Sequence, residues 1–142
     1  MFRTFLIFCF ITLLSLQLTG CLGSKDTPSG PSAAGQVNAA LASGKPVLLD
    51  FGADGCPSCV QMKPTIYRII TEYNDKLQVV MVDTSVDREL SADYKVRAIP
   101  TYVFVAPDGS EAGRQMGFID SNIFIDYVES FIKQHSPITA AN

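Results

Sequence analysis

Three short apolar runs constrain this chain more than any other feature: VLLDF at 47–51, LQVVMV at 77–82 and TYVFV at 101–105. Each is near-continuous rather than alternating, the pattern of a strand covered on both faces. Each is too short for a core helix, and breakers bound the first and third: Pro46 and Gly52, then Pro100 and Pro107. Helical periods lie between them. In CVQMKPTIYRIITEYN, residues 59–74, the side chains Met62, Ile66, Ile69, Ile70 and Tyr73 recur at helical spacing, with Pro64 as a kink. Residues 36–42 and 87–94 read as shorter helices. Pro107-Asp108-Gly109-Ser110 is a turn, so a fourth strand over 112–118 should pair antiparallel with the third. Asp120-Ser121 starts a last helix with Ile123, Tyr127, Val128, Phe131 and Ile132 as its apolar face. This order predicts an α/β fold, a central mixed sheet of about four strands flanked by helices.

The composition changes upstream of that pattern. Arg3 precedes an almost wholly apolar stretch, residues 5–16. That is short for a bilayer span and suits the core of an export signal. Leu18-Thr19-Gly20-Cys21 then resembles the bacterial lipobox, in which the cysteine is lipidated. The expectation is a lipoprotein signal peptide over 1–20, a lipidated Cys21 with a flexible Ser/Gly/Pro-rich tether over 21–35, and a folded domain over 36–142. An ordinary signal peptide or an uncleaved anchor is the alternative. The lipoprotein reading sets the domain outside the cytoplasm, lipid-anchored to a bacterial membrane. In a Gram-negative cell, Leu22 rather than an aspartate after the cysteine favours the periplasmic face of the outer membrane. At 47% hydrophobic and 18% charged residues, the chain can pack a core. Its formal charge is −3 and no basic run follows a phosphate backbone, so nucleic acid is not expected as a partner.

Of the four cysteines, Cys9 lies in the signal segment and Cys21 would carry lipid. Cys56 and Cys59 remain, in D-G-C-P-S-C-V, and three uses are open to them. A structural zinc site wants four ligands. Here there is one pair and one histidine, His135, which reads as a solvated last-turn residue, so no metal site is expected. A structural disulfide across so small a loop removes little chain entropy. Electron transfer fits better. Cys56 follows a strand and stands just before a helix, whose N-terminal N–H groups and dipole favour a thiolate. Pro57 suits the first helical position, where its missing N–H costs nothing. Ser58 completes the loop between the cysteines. Cys59 lies one turn in, so Cys56 is the nucleophile and Cys59 the resolving thiol. Asp50 interrupts an apolar strand. A carboxylate buried there is costly and takes a raised pKa, which suits a proton acceptor for Cys59. Alternatively it points outward at the strand's end.

The stretch LDFGADGCPSCVQMKP, residues 49–64, resembles the active-site segment of thioredoxin-like proteins, and Ala98-Ile99-Pro100-Thr101 resembles their cis-proline loop. The resemblance runs from about Val47 to Ile132. It implies a thioredoxin-like fold and a redox-active pair in Cys56 and Cys59. It also implies a buried acid in Asp50, and a substrate-binding loop of Ile99, Pro100 and Thr101 in which Pro100 is cis. A strand-leading proline is the alternative for Pro100. The departures are that Gly55 and Gly52 stand where the family often has tryptophan, Pro57-Ser58 replaces Gly-Pro, and Met81 replaces a lysine near the buried acid. The function implied is a protein-disulfide reductase without cofactor. Its partners would be disulfide-containing exported proteins and a membrane thiol electron donor. The rivals are a disulfide-forming oxidase or isomerase, and a non-catalytic binding or assembly module.

Overall fold

A computed structural model describes residues 32–136. The expected signal peptide, Cys21 and all of the tether before Ser32 lie outside the described residues. Helix α1 (Ala33–Ala42) begins three residues earlier than its sequence suggested. The cause is a local cap: the Ser32 hydroxyl accepts from the Gly35 N–H at 3.1 Å. Residues 33–35, expected in the tether, therefore belong to the helix. The helix stops before Gly44, whose φ of +70° turns the chain toward Pro46.

The remaining elements are β1 (Val47–Gly52), α2 (Pro57–Tyr73), β2 (Gln78–Asp83), α3 (Arg88–Asp93), β3 (Thr101–Val105), β4 (Glu111–Met116) and α4 (Ser121–His135). The sheet order is β2-β1-β3-β4. β1 runs parallel to β2 and antiparallel to β3, and β4 pairs antiparallel with β3. The fold is the thioredoxin-like α/β sandwich implied by the sequence.

The two central strands, β1 and β3, are the most deeply buried. Their alternate side chains serve two cores. Leu48, Tyr102 and Phe104 pack against α2 and α4 on one face. Val47, Leu49, Phe51, Val103 and Val105 pack against α1 and the α3 region on the other. Asp50 has the parity of Leu48, so strand pleating turns it toward the α2/α4 face.

Two expectations need correction. The apolar run 77–82 predicts a strand buried on both faces, yet within β2 only Val80 and Val82 are buried, with Leu77 just before it, and Met81 is 36% exposed. The reason is its place at the sheet edge, which a hydropathy run cannot report. In α4, the helical period places Ile123 on the apolar face, but it is 64% exposed. Phe124 and Ile125 enter the core instead, with Val128, Phe131 and Ile132. Phe124 packs against Tyr102 with tilted rings, centroids 4.6 Å apart, a contact that draws the first turn of the helix into the core. Helix α2 runs unbroken through Pro64. A Thr65–Ser121 hydroxyl contact of 2.6 Å ties it to the start of α4.

Candidate active site

The site forms where β1 ends and α2 begins. Cys56 is the N-cap of α2 and Pro57 its first residue. The cap is the thiol sulfur itself: Cys56 Sγ accepts the Cys59 N–H at 3.2 Å. Helix geometry thus aims an N-terminal N–H at the sulfur, where a thiolate would carry its charge. The Ser58 hydroxyl oxygen is 3.4 Å from the same sulfur. Cys56 and Cys59 are joined as a disulfide across a Cα–Cα distance of 5.2 Å. Cys56 is half-buried and Cys59 buried, so Cys56 is the more accessible sulfur of the pair.

The second wall is the loop before β3. The Ile99–Pro100 peptide bond is cis. The Ile99 carbonyl oxygen lies 3.9 Å from Cys56 Sγ. Thr101 is buried and donates its hydroxyl to the Ala98 carbonyl at 2.6 Å, closing the loop on itself. Gly117 N–H donates to the Pro100 carbonyl at 2.8 Å, which brings residues 116–118 beside the proline. Met116 and Phe118 are exposed there, apolar contacts that the sequence pattern did not single out.

The floor is Asp50. It is 9% exposed, and its strand partners are Met81 on β2 and Tyr102 on β3. The outward-pointing alternative therefore fails. Burial pushes its carboxyl up from 3.8 to about 6, against the opposing pull of the Lys63 ammonium. A cavity of about 140 Å³ opens beside it, lined by Asp50, Gly52, Cys59, Lys63, Met81 and Asp83 among others. Asp50 and the buried cysteine thus share one small space. Gly52 adds no bulk to it, since a Cβ there would stand 3.5 Å from Cys59.

Lys63 is the site residue that the sequence pattern did not reveal. The available signal was its spacing, one helical turn after Cys59 on α2. Its ammonium meets Asp54 Oδ1 at 2.7 Å. His135 sits elsewhere, in the last turn of α4, with its ring 4.9 Å from that of Phe131.

The sequence model of the thioredoxin family matches residues 33–130. The chain is 32% identical over 107 residues to the thioredoxin-like protein HCF164 of Arabidopsis thaliana chloroplasts, a match covering 72% of this chain and 41% of that protein. It is 29% identical over 137 residues to the thiol:disulfide interchange protein TxlA of Synechococcus elongatus, covering 90% and 72% respectively. It is 35% identical over 100 residues to the thiol:disulfide interchange protein DsbD of Pseudomonas fluorescens, covering 64% of this chain and 17% of that protein. Among solved structures it resembles the Drosophila melanogaster thioredoxin Deadhead, with a TM-score of 0.63 at 26% identity over 73% of this chain and 98% of that one. The chain spans less than half the length of the chloroplast HCF164 proteins that it matches.

Proposed function

The chain belongs to the thioredoxin family, and from that premise we propose that it is a thiol–disulfide oxidoreductase, like the interchange proteins it resembles, and works as a reductase of disulfides in exported proteins. The observation that carries this reading is the stacking of three groups. An accessible Cys56 caps a helix, Cys59 lies behind it, and a buried Asp50 shares a cavity with Cys59.

The chemistry follows from that order. The Cys56 thiolate attacks one sulfur of a client disulfide. The client's S–S bond breaks, one client thiolate leaves and takes up a proton, and a mixed disulfide forms on Cys56. Asp50 accepts the proton of the Cys59 thiol. The Cys59 thiolate then attacks Cys56 sulfur, the mixed disulfide breaks, and the second client sulfur leaves as thiolate. Two electrons have passed from the cysteine pair to the client, and the pair ends as the Cys56–Cys59 disulfide. With a pKa of about 6, Asp50 is mostly ionised at neutral pH and free to accept the proton. Exchange should fall as pH drops through that value. Ile99, Pro100 and Thr101 line the place a client segment would occupy, flanked by Met116 and Phe118. A membrane thiol donor returns the two electrons. Arg3, the apolar stretch over 5–16 and the LTGC at 18–21 support an exported domain held to a membrane by lipid on Cys21.

Direction is the part that needs measurement. Asp50 and the resemblance around Ile99 support reduction. Ser58, 3.4 Å from Cys56 sulfur, pulls the other way by stabilising the thiolate and hence the reduced pair. One hydrogen bond to a charged group, at roughly 1.5–3 kcal/mol, is about 30–65 mV for a two-electron couple. Against about −270 mV for thioredoxin and about −120 mV for a strong oxidant, that leaves the pair toward the reducing end. Equilibration in redox buffers should give a potential below about −200 mV, and acid-quenched thiol trapping in cells should find the pair mainly reduced. A mostly oxidised pair with a potential near the oxidant end would promote the oxidase. No turnover in insulin reduction, with client binding retained, would promote the binding module.

A further inference from the structure

The cavity beside Asp50 holds more charge than the exchange steps use. Asp54 and Asp83 line it together with Asp50, Cys59 and Lys63. Among the described residues that line it, Lys63 carries the only positive charge. Met81, opposite Asp50 in the sheet, contributes none. Lys63 and the disulfide-bonded Cys59 from α2, Asp54 from the loop before Cys56 and Asp83 from β2 line this space with Asp50, and Tyr102 on β3 is its neighbour across the sheet. Asp83 is occupied by Ser85, accepting its N–H at 2.8 Å and its hydroxyl at 2.6 Å. Tyr102 is held neutral by burial. The Lys63 charge acts on Asp83 as well, but the carboxylates that stabilise the ammonium itself are Asp54 and, more weakly, Asp50. The contact that is made, Lys63 to Asp54 at 2.7 Å, lies toward solvent, with side chains 35% and 87% exposed. A pair so exposed is weak, and a lysine stem is long and mobile, so small changes reset which carboxylate the ammonium serves.

We propose that Lys63 is a positioning residue for the proton transfer between Cys59 and Asp50, and that Asp54 is its latch, competing with Asp50 for the Lys63 ammonium. Latched to Asp54, Lys63 leaves Asp50 with a high proton affinity. Released, it turns into the cavity and lowers that affinity. The active-site loop that bears Asp54 thereby sets the pH range of the resolving step. This rests on the reading of Asp50 as proton acceptor, and the test separates the two.

The Asp50 carboxyl is followed by ¹³C NMR titration in the oxidised full chain, with Asp50→Asn to assign the resonance. Lys63→Met keeps the stem and removes the charge. It should raise the midpoint from about 6 by about half a pH unit or more. Asp54→Asn should lower it. In the Lys63→Met background, Asp54→Asn should shift the midpoint by less than half as much as in the wild type, because the latch then has nothing to hold. A midpoint unmoved by Lys63→Met overturns the proposal, as does an Asp54→Asn shift of equal size with and without Lys63. Thiol-exchange rates across pH are read on the same variants. If the Asp50 midpoint moves as expected and the rate profile does not follow, the competition for Lys63 stands and the proton-acceptor role of Asp50 is what fails.

Discussion

Replacing Asp50 by asparagine should make the protein more stable at neutral pH, and by an amount that depends on pH. Asp50 is buried and its carboxyl is raised from 3.8 to about 6. The folded state therefore binds this proton more tightly than the unfolded state. Below about pH 4 both states are protonated and the group costs nothing through ionisation. Between about pH 4 and 6 the unfolded chain ionises first, so stability falls as pH rises, and above about 6 the full cost is present. A displacement of roughly two pH units, at about 1.36 kcal/mol each, amounts to about 3 kcal/mol at pH 7. Asparagine has nearly the same volume and carries no charge, so most of that cost should vanish in the variant. Guanidinium unfolding of the oxidised protein measures it, as a higher midpoint with an unchanged slope. The gain should be about 2–3 kcal/mol at pH 7 and close to zero at pH 3.5. Equal gains at both pH values would mean that packing rather than ionisation is responsible. No gain at pH 7 would mean that Asp50 is not a strained buried carboxylate, and its assignment as proton acceptor would lose its physical basis.

Three further outcomes follow, two from the geometry of the described residues and one, at Cys21, from the sequence. Cys59→Ser should accumulate client proteins as mixed disulfides on Cys56, visible on non-reducing gels, because attack survives and resolution is lost; capture by Cys56→Ser instead would reverse the two roles. Cys21→Ser should release the protein from the membrane fraction without changing its rate of insulin reduction, and a variant that stays membrane-bound would remove the lipid anchor. Tyr102→Phe should raise stability by about 1 kcal/mol, since the Tyr102 hydroxyl is buried without a hydrogen-bond partner; a loss of similar size in thermal or denaturant unfolding would show that the hydroxyl is in use.

The sequence by itself determined the element order, the two central strands and the chemistry of the cysteine pair. Those features are local. An apolar run between breakers is a strand wherever it lands, and Pro57 after Cys56 starts a helix whose N–H groups favour a thiolate. Local pattern also flagged Asp50, because a carboxylate inside VLLDF is at odds with its neighbours. The tertiary structure decided what depends on neighbours distant in sequence. It put β2 at the sheet edge, leaving Met81 half-exposed beside Asp50. It reset the first turn of α4, where Phe124 and Ile125 rather than Ile123 enter the core and Phe124 meets Tyr102, while Val128, Phe131 and Ile132 face inward as the sequence predicts. Above all, it brought Lys63 to the space beside Asp50. The two residues are 13 positions apart on different elements, and no periodicity links them. Their meeting depends on how α2 lies across β1, and the charge balance of the site depends on that packing.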